Sequence, residues 1–250
     1  MPEATLASLR VLVTRPQGEG SDEWVEALRE AGADPVPYPT LMVAPPDSWE
    51  AVDAALSRIA VYDFLVFTSQ TTVAFLISRI PGRRLPRKLR ASIVAVGPAT
   101  ARAVERAGGM VAFLPADNRQ EGLVDVLRPV APGKLVMLPI AAGGRALLAE
   151  TLRSWGCGVD VLTVYRMLPK DGLCEPPAFD AAVFASPSAL RAYIAAIGVA
   201  SLVGKTVAVI GPTTAKEAAA NGIRVVSAES PDIQALIRAI ARSRQNQGET

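Results

Sequence analysis

The chain repeats itself, and this constrains its fold more than any single motif does. Tyr62-Asp63-Phe64-Leu65-Val66-Phe67-Thr68-Ser69 aligns with Phe179-Asp180-Ala181-Ala182-Val183-Phe184-Ala185-Ser186 at an offset of 117 (186 minus 69). Ala95-Val96-Gly97-Pro98-Ala99-Thr100-Ala101 aligns with Val209-Ile210-Gly211-Pro212-Thr213-Thr214-Ala215 at an offset of 114 (211 minus 97), so the connection between the blocks absorbs three residues. Ala107-Gly108 and Asn221-Gly222 follow, each a helix-ending pair that tolerates positive φ. Arg10-Val11-Leu12-Val13 leading to Ala31-Gly32 is echoed by Lys134-Leu135-Val136-Met137 leading to Trp155-Gly156, at an offset of 124 at both ends. Duplication of a βα unit builds two similar lobes facing a cleft.

The repeated blocks are short β-branched runs at 11–14, 64–68, 93–96, 135–138, 182–185 and 207–210, separated by alanine-rich helical patterns. Continuous apolar strands between helices indicate parallel sheets covered on both faces. The expected fold is α/β, with two flavodoxin-like parallel-sheet lobes. At 250 residues, half of them apolar, the chain is long enough for two cores. Residues 35–42 and 161–169 break the pattern. Both read as extended, and prolines bar the first from a central strand. They are expected to be paired connectors, with an edge strand in each lobe as the alternative.

Several function classes drop out. Lysine plus arginine (26) against aspartate plus glutamate (24) leaves a net charge of +2, too small for a surface built to bind nucleic acid or membrane. The run Arg83, Arg84, Arg87, Lys88 and Arg90 has no interleaved aromatics and reads as a solvated loop. The longest uncharged stretch of the C-terminal half, 192–204, is short of the roughly 18 to 20 apolar residues of a spanning helix. Residues 1–10 carry Glu3 and no basic-then-apolar leader pattern, and Cys157 and Cys174 are expected to be inert thiols, so the cytoplasm is the expected location.

Histidine is absent, which removes imidazole bases, ligands and triads, and no metal is expected. Gly18-Glu19-Gly20-Ser21-Asp22-Glu23 puts a glutamate where a dinucleotide fingerprint needs its third glycine, and 198–206 resembles a P-loop but precedes a strand. Asp63 and Asp180 stand at strand starts, the wrong edge for a phosphoryl relay, and are expected to be structural.

The carboxyl ends of the strands carry hydroxyl-rich turns: Thr14-Arg15-Pro16, Thr68-Ser69-Gln70, Gly97-Pro98-Ala99-Thr100, Ser186-Pro187-Ser188 and Gly211-Pro212-Thr213-Thr214. Open α/β sheets bind ligands outside these ends, where hydroxyls and first-turn amides suit a carboxylate or phosphate. Simple capping accounts equally for any one turn, since Ser and Thr are preferred N-caps. Their repetition in both lobes points to a ligand with several separated negative groups.

Taken together, 11–16 (Val-Leu-Val-Thr-Arg-Pro), 67–69 (Phe-Thr-Ser), 95–101, Val164-Tyr165, 184–188 (Phe-Ala-Ser-Pro-Ser) and 210–215 resemble the uroporphyrinogen-III synthase family over about residues 9–241. The resemblance implies lobe 1 from 1–36 plus 170–250, lobe 2 from 41–163, and a two-stranded connector from 37–40 and 164–169. It implies the dehydrating cyclisation of hydroxymethylbilane, with inversion of the last pyrrole ring, to uroporphyrinogen III. No cofactor or metal is needed, and a monomer is expected, with the preceding pathway enzyme as a transient partner.

The resemblance makes Tyr165 the catalytic residue that helps the hydroxyl leave, or alternatively a packing residue. Substrate contacts carry over to Arg15, Thr68, Ser69, Gly97, Thr100, Arg145, Ser186, Ser188, Gly211, Thr213 and Thr214. Many relatives have an arginine and a glycine after the strand that here ends in Leu138-Pro139. This chain instead reads Ile140-Ala141-Ala142-Gly143-Gly144-Arg145, so Arg145 is carried across a departure from the pattern. The competing class is a two-lobed binding or sensing protein for a polyanionic small molecule.

Overall fold

The computed structural model describes residues 6–16, 21–230 and 232–248. Gly18, Glu19 and Gly20 of the fingerprint-like stretch lie outside them. The chain divides into a unit of residues 1–42 with 168–250 and a unit of residues 43–167. The first unit starts with β1 (Arg10–Val13), α1 (Ser21–Glu30) and β2 (Asp34–Pro37). Strand β3 (Leu41–Ala44) then leads into the second unit: α2 (Glu50–Ser57), β4 (Phe64–Phe67), α3 (Gln70–Ser78), β5 (Ser92–Ala95), α4 (Pro98–Arg106), β6 (Val111–Phe113), α5 (Gln120–Leu127), β7 (Leu135–Ala141), α6 (Leu147–Ser154) and β8 (Gly158–Pro169). The first unit resumes with β9 (Ala181–Phe184), α7 (Pro187–Ile197), β10 (Thr206–Val209), α8 (Pro212–Ala220), β11 (Val226–Ser227) and α9 (Ile233–Gly248).

The sheet of the first unit has the order β11-β10-β9-β1-β2, and that of the second β3-β8-β7-β4-β5-β6. With β7 and β8 counted as the first two strands, the second unit has the strand order of the first, the flavodoxin-like order 2-1-3-4-5. One copy is therefore a circular permutation of the other, with β3 added at its edge. Parallel pairing joins each strand of the first sheet to the next, and β8-β7-β4-β5-β6 in the second.

The registers match as well. Phe64 pairs with Ser92, and Ala181 with Thr206, which preserves the offsets of 117 and 114. The first-strand echo needs correction by one residue: Val11 pairs with Ala181 and Val136 with Phe64, so the strands correspond at 125 (136 minus 11). Gly32 and Gly156, both at positive φ, keep 124. A one-residue slip turns every strand side chain to the other face, so the ladder fixes the register.

Two carboxylates hold it there, as structural groups. Asp180 accepts from the Arg10 backbone amide at 3.1 Å, and Asp63 from that of Leu135 at 3.0 Å. Arg10 also grips Asp180 through its guanidinium, and these bonds hold the carboxyl down at about 2. Arg90, from the exposed basic loop, pairs with Asp63 at 3.2 Å.

Leu65 and Phe67 face one apolar core of the second unit while Phe64 and Val66 face another, so the sheet is buried on both sides. The first unit packs Trp24, Leu28, Leu236 and Ile240 against Val11, Val13 and Val183. Residues 34–37 form an edge strand parallel to β1, the position a proline-rich strand can hold. The strand expected to end in Leu138-Pro139 runs on to Ala141. Its pairing with β4 stops at Met137, so Pro139 has only β8 beside it.

The P-loop-like stretch forms a short 3₁₀ turn, Val199–Leu202, and enters β10. Cys157 is buried, Cys174 is exposed, and both are free. Among the described residues no helix is long and apolar enough to cross a membrane, and no acidic, histidine or cysteine cluster could hold a metal.

Candidate active site

In a flavodoxin-like sheet the strand order reverses between the first and third strands, and a ligand sits outside the carboxyl ends at that point. In the second unit these strands are β7 and β4, and a cavity of about 310 Å3 opens there. Thr68 and Ser69 after β4, Ile140 and Ala141 at the end of β7, and Arg145 and Tyr165 line it. Four expected residues, Thr68, Ser69, Arg145 and Tyr165, are thus brought together.

Tyr165 owes its place to a β-bulge. Ile140 pairs with Thr163 and Ala141 with Tyr165, which leaves Val164 extra. Strict alternation would turn two neighbours to opposite faces, yet Val164 and Tyr165 are both buried in the core that takes Leu65 and Phe67. A bulge re-aims a side chain in this way. The Tyr165 ring packs on Phe75 of α3, centroids 5.6 Å apart. Arg145 is exposed and pairs with Glu121 at 3.3 Å.

The helix starts differ in a regular way. Ser69 caps α3 by accepting from the Thr72 amide at 3.1 Å, and Thr72 returns the bond in a capping box. Ser186 caps α7 in the same manner, accepting from the Ala189 amide at 3.2 Å. The next helix in each unit has no side-chain cap. Gly97 precedes α4 and Gly211 precedes α8, both in extended backbone with proline in the first turn. An uncapped first turn keeps its amides available to an anion, with the helix dipole in support. Thr100 and Thr214, third in these helices, are buried, whereas Thr213 is exposed. A Cβ at Gly97 would come within 3.1 Å of the Asn118 side chain, so glycine permits Asn118's approach.

Elsewhere in the first unit the expected residues divide. Thr14 is buried and donates to the Val183 carbonyl at 2.8 Å, so its hydroxyl joins two strands. Arg15 lies over the Trp24 ring at 4.7 Å and lines a cavity of about 300 Å3 with Asp22, Glu26 and Pro37. Ser186, Ser188, Gly211, Thr213 and Thr214 do not line that cavity. Ser188 is exposed and accepts from Arg191 at 3.2 Å.

Asn118, Arg119 and Gln120 also line the second unit's cavity and were missed in the sequence. Arg119 pairs with Asp117 at 2.7 Å and, through side-chain hydrogen bonds, holds its carboxyl below the ordinary range. One signal was there to read: the offset of 114 carries Asn118 onto Asp232, which bonds the Ala235 amide at 2.7 Å as α9 begins.

Hydroxyls, arginines, a phenol and uncapped helix starts at the carboxyl edge of a flavodoxin-like sheet define a class: an α/β protein, its unit present twice, suited to a small anionic ligand. The family model for uroporphyrinogen-III synthase HemD matches residues 22–238. A uroporphyrinogen-III synthase from Synechococcus elongatus is 31% identical over 180 residues, covering 69% of this chain and 68% of that protein. A putative uroporphyrinogen-III synthase from Methanothermobacter thermautotrophicus is 31% identical over 250 residues, covering 92% and 97%. The crystal structure of uroporphyrinogen-III synthetase from Helicobacter pylori shares the fold, with a TM-score of 0.63 at 17% identity over 94% of this chain and 99% of that one. The chain belongs to the uroporphyrinogen-III synthase family. Membership favours the enzyme over the binding-only protein.

Proposed function

We propose that the chain converts hydroxymethylbilane to uroporphyrinogen III, with loss of water and inversion of the last pyrrole ring. The observation that carries this reading is Tyr165, turned by its bulge into a cavity it shares with Thr68, Ser69 and Arg145. A phenol donates a hydrogen bond or proton to a departing hydroxyl. As the C–O bond breaks, that proton leaves with the water and the pyrrole nitrogen's electron pair stabilises the carbon. Inversion exchanges one C–C bond: the carbon attacks the last ring where that ring's own methylene bridge is attached, and the bridge bond breaks to leave a second nitrogen-stabilised carbon. This second carbon closes on the ring's free position, whose released proton restores the phenol.

The substrate carries acetate and propionate on each ring. Arg15 and Arg145, the hydroxyls of Thr68, Ser69, Ser186, Ser188 and Thr213, and the first-turn amides around Gly97-Thr100 and Gly211-Thr214 are the proposed carboxylate contacts. The bilane closes unaided to the uninverted isomer, so catalysis consists largely of holding the last ring in the inverting geometry. The protein acts as a cytoplasmic monomer, a state checked by sedimentation. It needs no metal or cofactor, and its activity should survive dialysis against chelator.

The decisive assay generates hydroxymethylbilane in situ and measures the ratio of isomer III to isomer I. Purified protein should turn the product to isomer III. Isomer I alone, at the spontaneous rate, would leave the binding-only alternative standing.

A further inference from the structure

Among the described residues, Gln120 Oε1 is the buried side-chain polar atom without a hydrogen-bond partner. Native structures rarely leave such an atom unsatisfied, because its lost hydration goes uncompensated. Gln120 opens α5 and lines the cavity that holds Tyr165 and Arg145. The other polar side chains there are hydroxyls, arginines and the Asn118 amide, which can all donate to carboxylates. A carbonyl oxygen is the opposite: it accepts only, and an ionised carboxylate offers it nothing.

We propose that the Gln120 carbonyl accepts a pyrrole N–H of the substrate, so that the cavity recognises the ring nitrogen as well as the carboxylates. This deepens the synthase reading and rests on it. The amide turns about a terminal torsion that is broad and two-fold, so Oε1 can swing from its buried position to meet the entering ring. A site built around such a bond discriminates against a ligand lacking the donor, because the carbonyl is then left unpaired.

The test uses an unreactive bilane with methyl in place of hydroxymethyl, and four counterparts in which each pyrrole in turn is replaced by furan, an oxygen standing where the N–H was. Wild type should bind one furan counterpart about tenfold more weakly than the parent, the effect of one lost hydrogen bond. Gln120→Met, which keeps the length of the side chain, should bind the parent about tenfold more weakly, no longer distinguish that counterpart, and melt at or above the wild-type temperature.

Parent binding unchanged in Gln120→Met overturns the proposal, as does equal weakening of the parent and every counterpart. If the variant does not fold, the wild-type series still decides, since no penalty at any ring refutes the proposal. A wild type that neither binds the parent bilane nor makes isomer III refutes the synthase reading itself.

Discussion

Replacing Tyr165 by phenylalanine separates the two roles open to this residue. The ring is 6% exposed and packs 5.6 Å from Phe75. Phenylalanine fills the same space, so the substitution removes at most a hydrogen bond of about 0.5 to 1.5 kcal/mol. In a protein of this size that lowers the melting temperature by only a few degrees. Tyr165→Ala, by contrast, empties a core position and costs about 3 to 5 kcal/mol, so any loss of activity would be confounded with unfolding.

If the hydroxyl assists departure of water, Tyr165→Phe loses about 10² to 10⁴ in rate, the range for general acid catalysis, or roughly 2.7 to 5.5 kcal/mol of barrier. The assay follows isomers III and I together. Spontaneous closure competes with the slowed enzyme, so isomer I should become the main product although the protein remains folded. Wild-type production of isomer III by Tyr165→Phe would refute the assignment and reduce Tyr165 to a packing residue. If Thr214→Ala then abolished activity, the chemistry would belong to the Gly211-Thr214 turn.

The remaining predictions concern binding and stability. Thr213→Ala and Arg15→Ala should each weaken substrate binding by about 1 to 3 kcal/mol and let more of it escape to isomer I, read as KM and isomer ratio. Gly211→Ser adds a side chain where nothing lies within 4 Å, so serine can cap α8, leaving the melting temperature equal or slightly higher while KM rises; an unchanged KM would count against anion binding at that turn. Asp180, held at about 2 against an ordinary 3.8, favours the folded state above pH 4 and loses that contribution as pH falls toward 2. Because its side chain is 36% exposed, the effect is about 1 kcal/mol after screening, and acid denaturation of Asp180→Asn should lack this component between pH 4 and 2.

The topology was legible because repetition is visible in residue identity. Blocks sharing Asp-x-x-Val-Phe and Gly-Pro-x-Thr had to occupy equivalent strands and turns, and they do, with Phe64↔Ser92 matching Ala181↔Thr206. The register of the first strands was not legible. Val11-Leu12-Val13 resembles the apolar run at 135–138 equally well at either of two adjacent offsets, and apolar residues alone do not choose between them. The choice falls to Asp180 and Asp63, whose bonds to the Arg10 and Leu135 amides are long-range contacts invisible in a local pattern. The bulge was hidden for a related reason. In a sheet covered on both faces adjacent apolar residues such as Val164 and Tyr165 read as ordinary strand, and only the pairing of Ile140 with Thr163 and Ala141 with Tyr165 exposes the extra residue. Asn118, Arg119 and Gln120 belong to no conspicuous motif, and only the folded sheet brings their loop beside β4 and β7.

Capping was the rival explanation for every hydroxyl-rich turn, and the structure divides those turns by strand. Ser69 and Ser186, after β4 and β9, accept from their own helices and keep only the O–H donor for a ligand. Gly97 and Gly211, after β5 and β10, offer their helices no side-chain cap. Replacing a serine cap by glycine costs only a few tenths of a kcal/mol, so stability alone exerts little pressure for or against either choice. Chance could set one such turn, but the same alternation stands in both copies of the unit, whose sequences have otherwise diverged widely. Geometry explains the glycine at 97, where Asn118 comes close, but not at 211, where a Cβ meets nothing within 4 Å. What the two turns share is a first helical turn open at the carboxyl edge of the sheet, where the amides can receive an acetate or propionate.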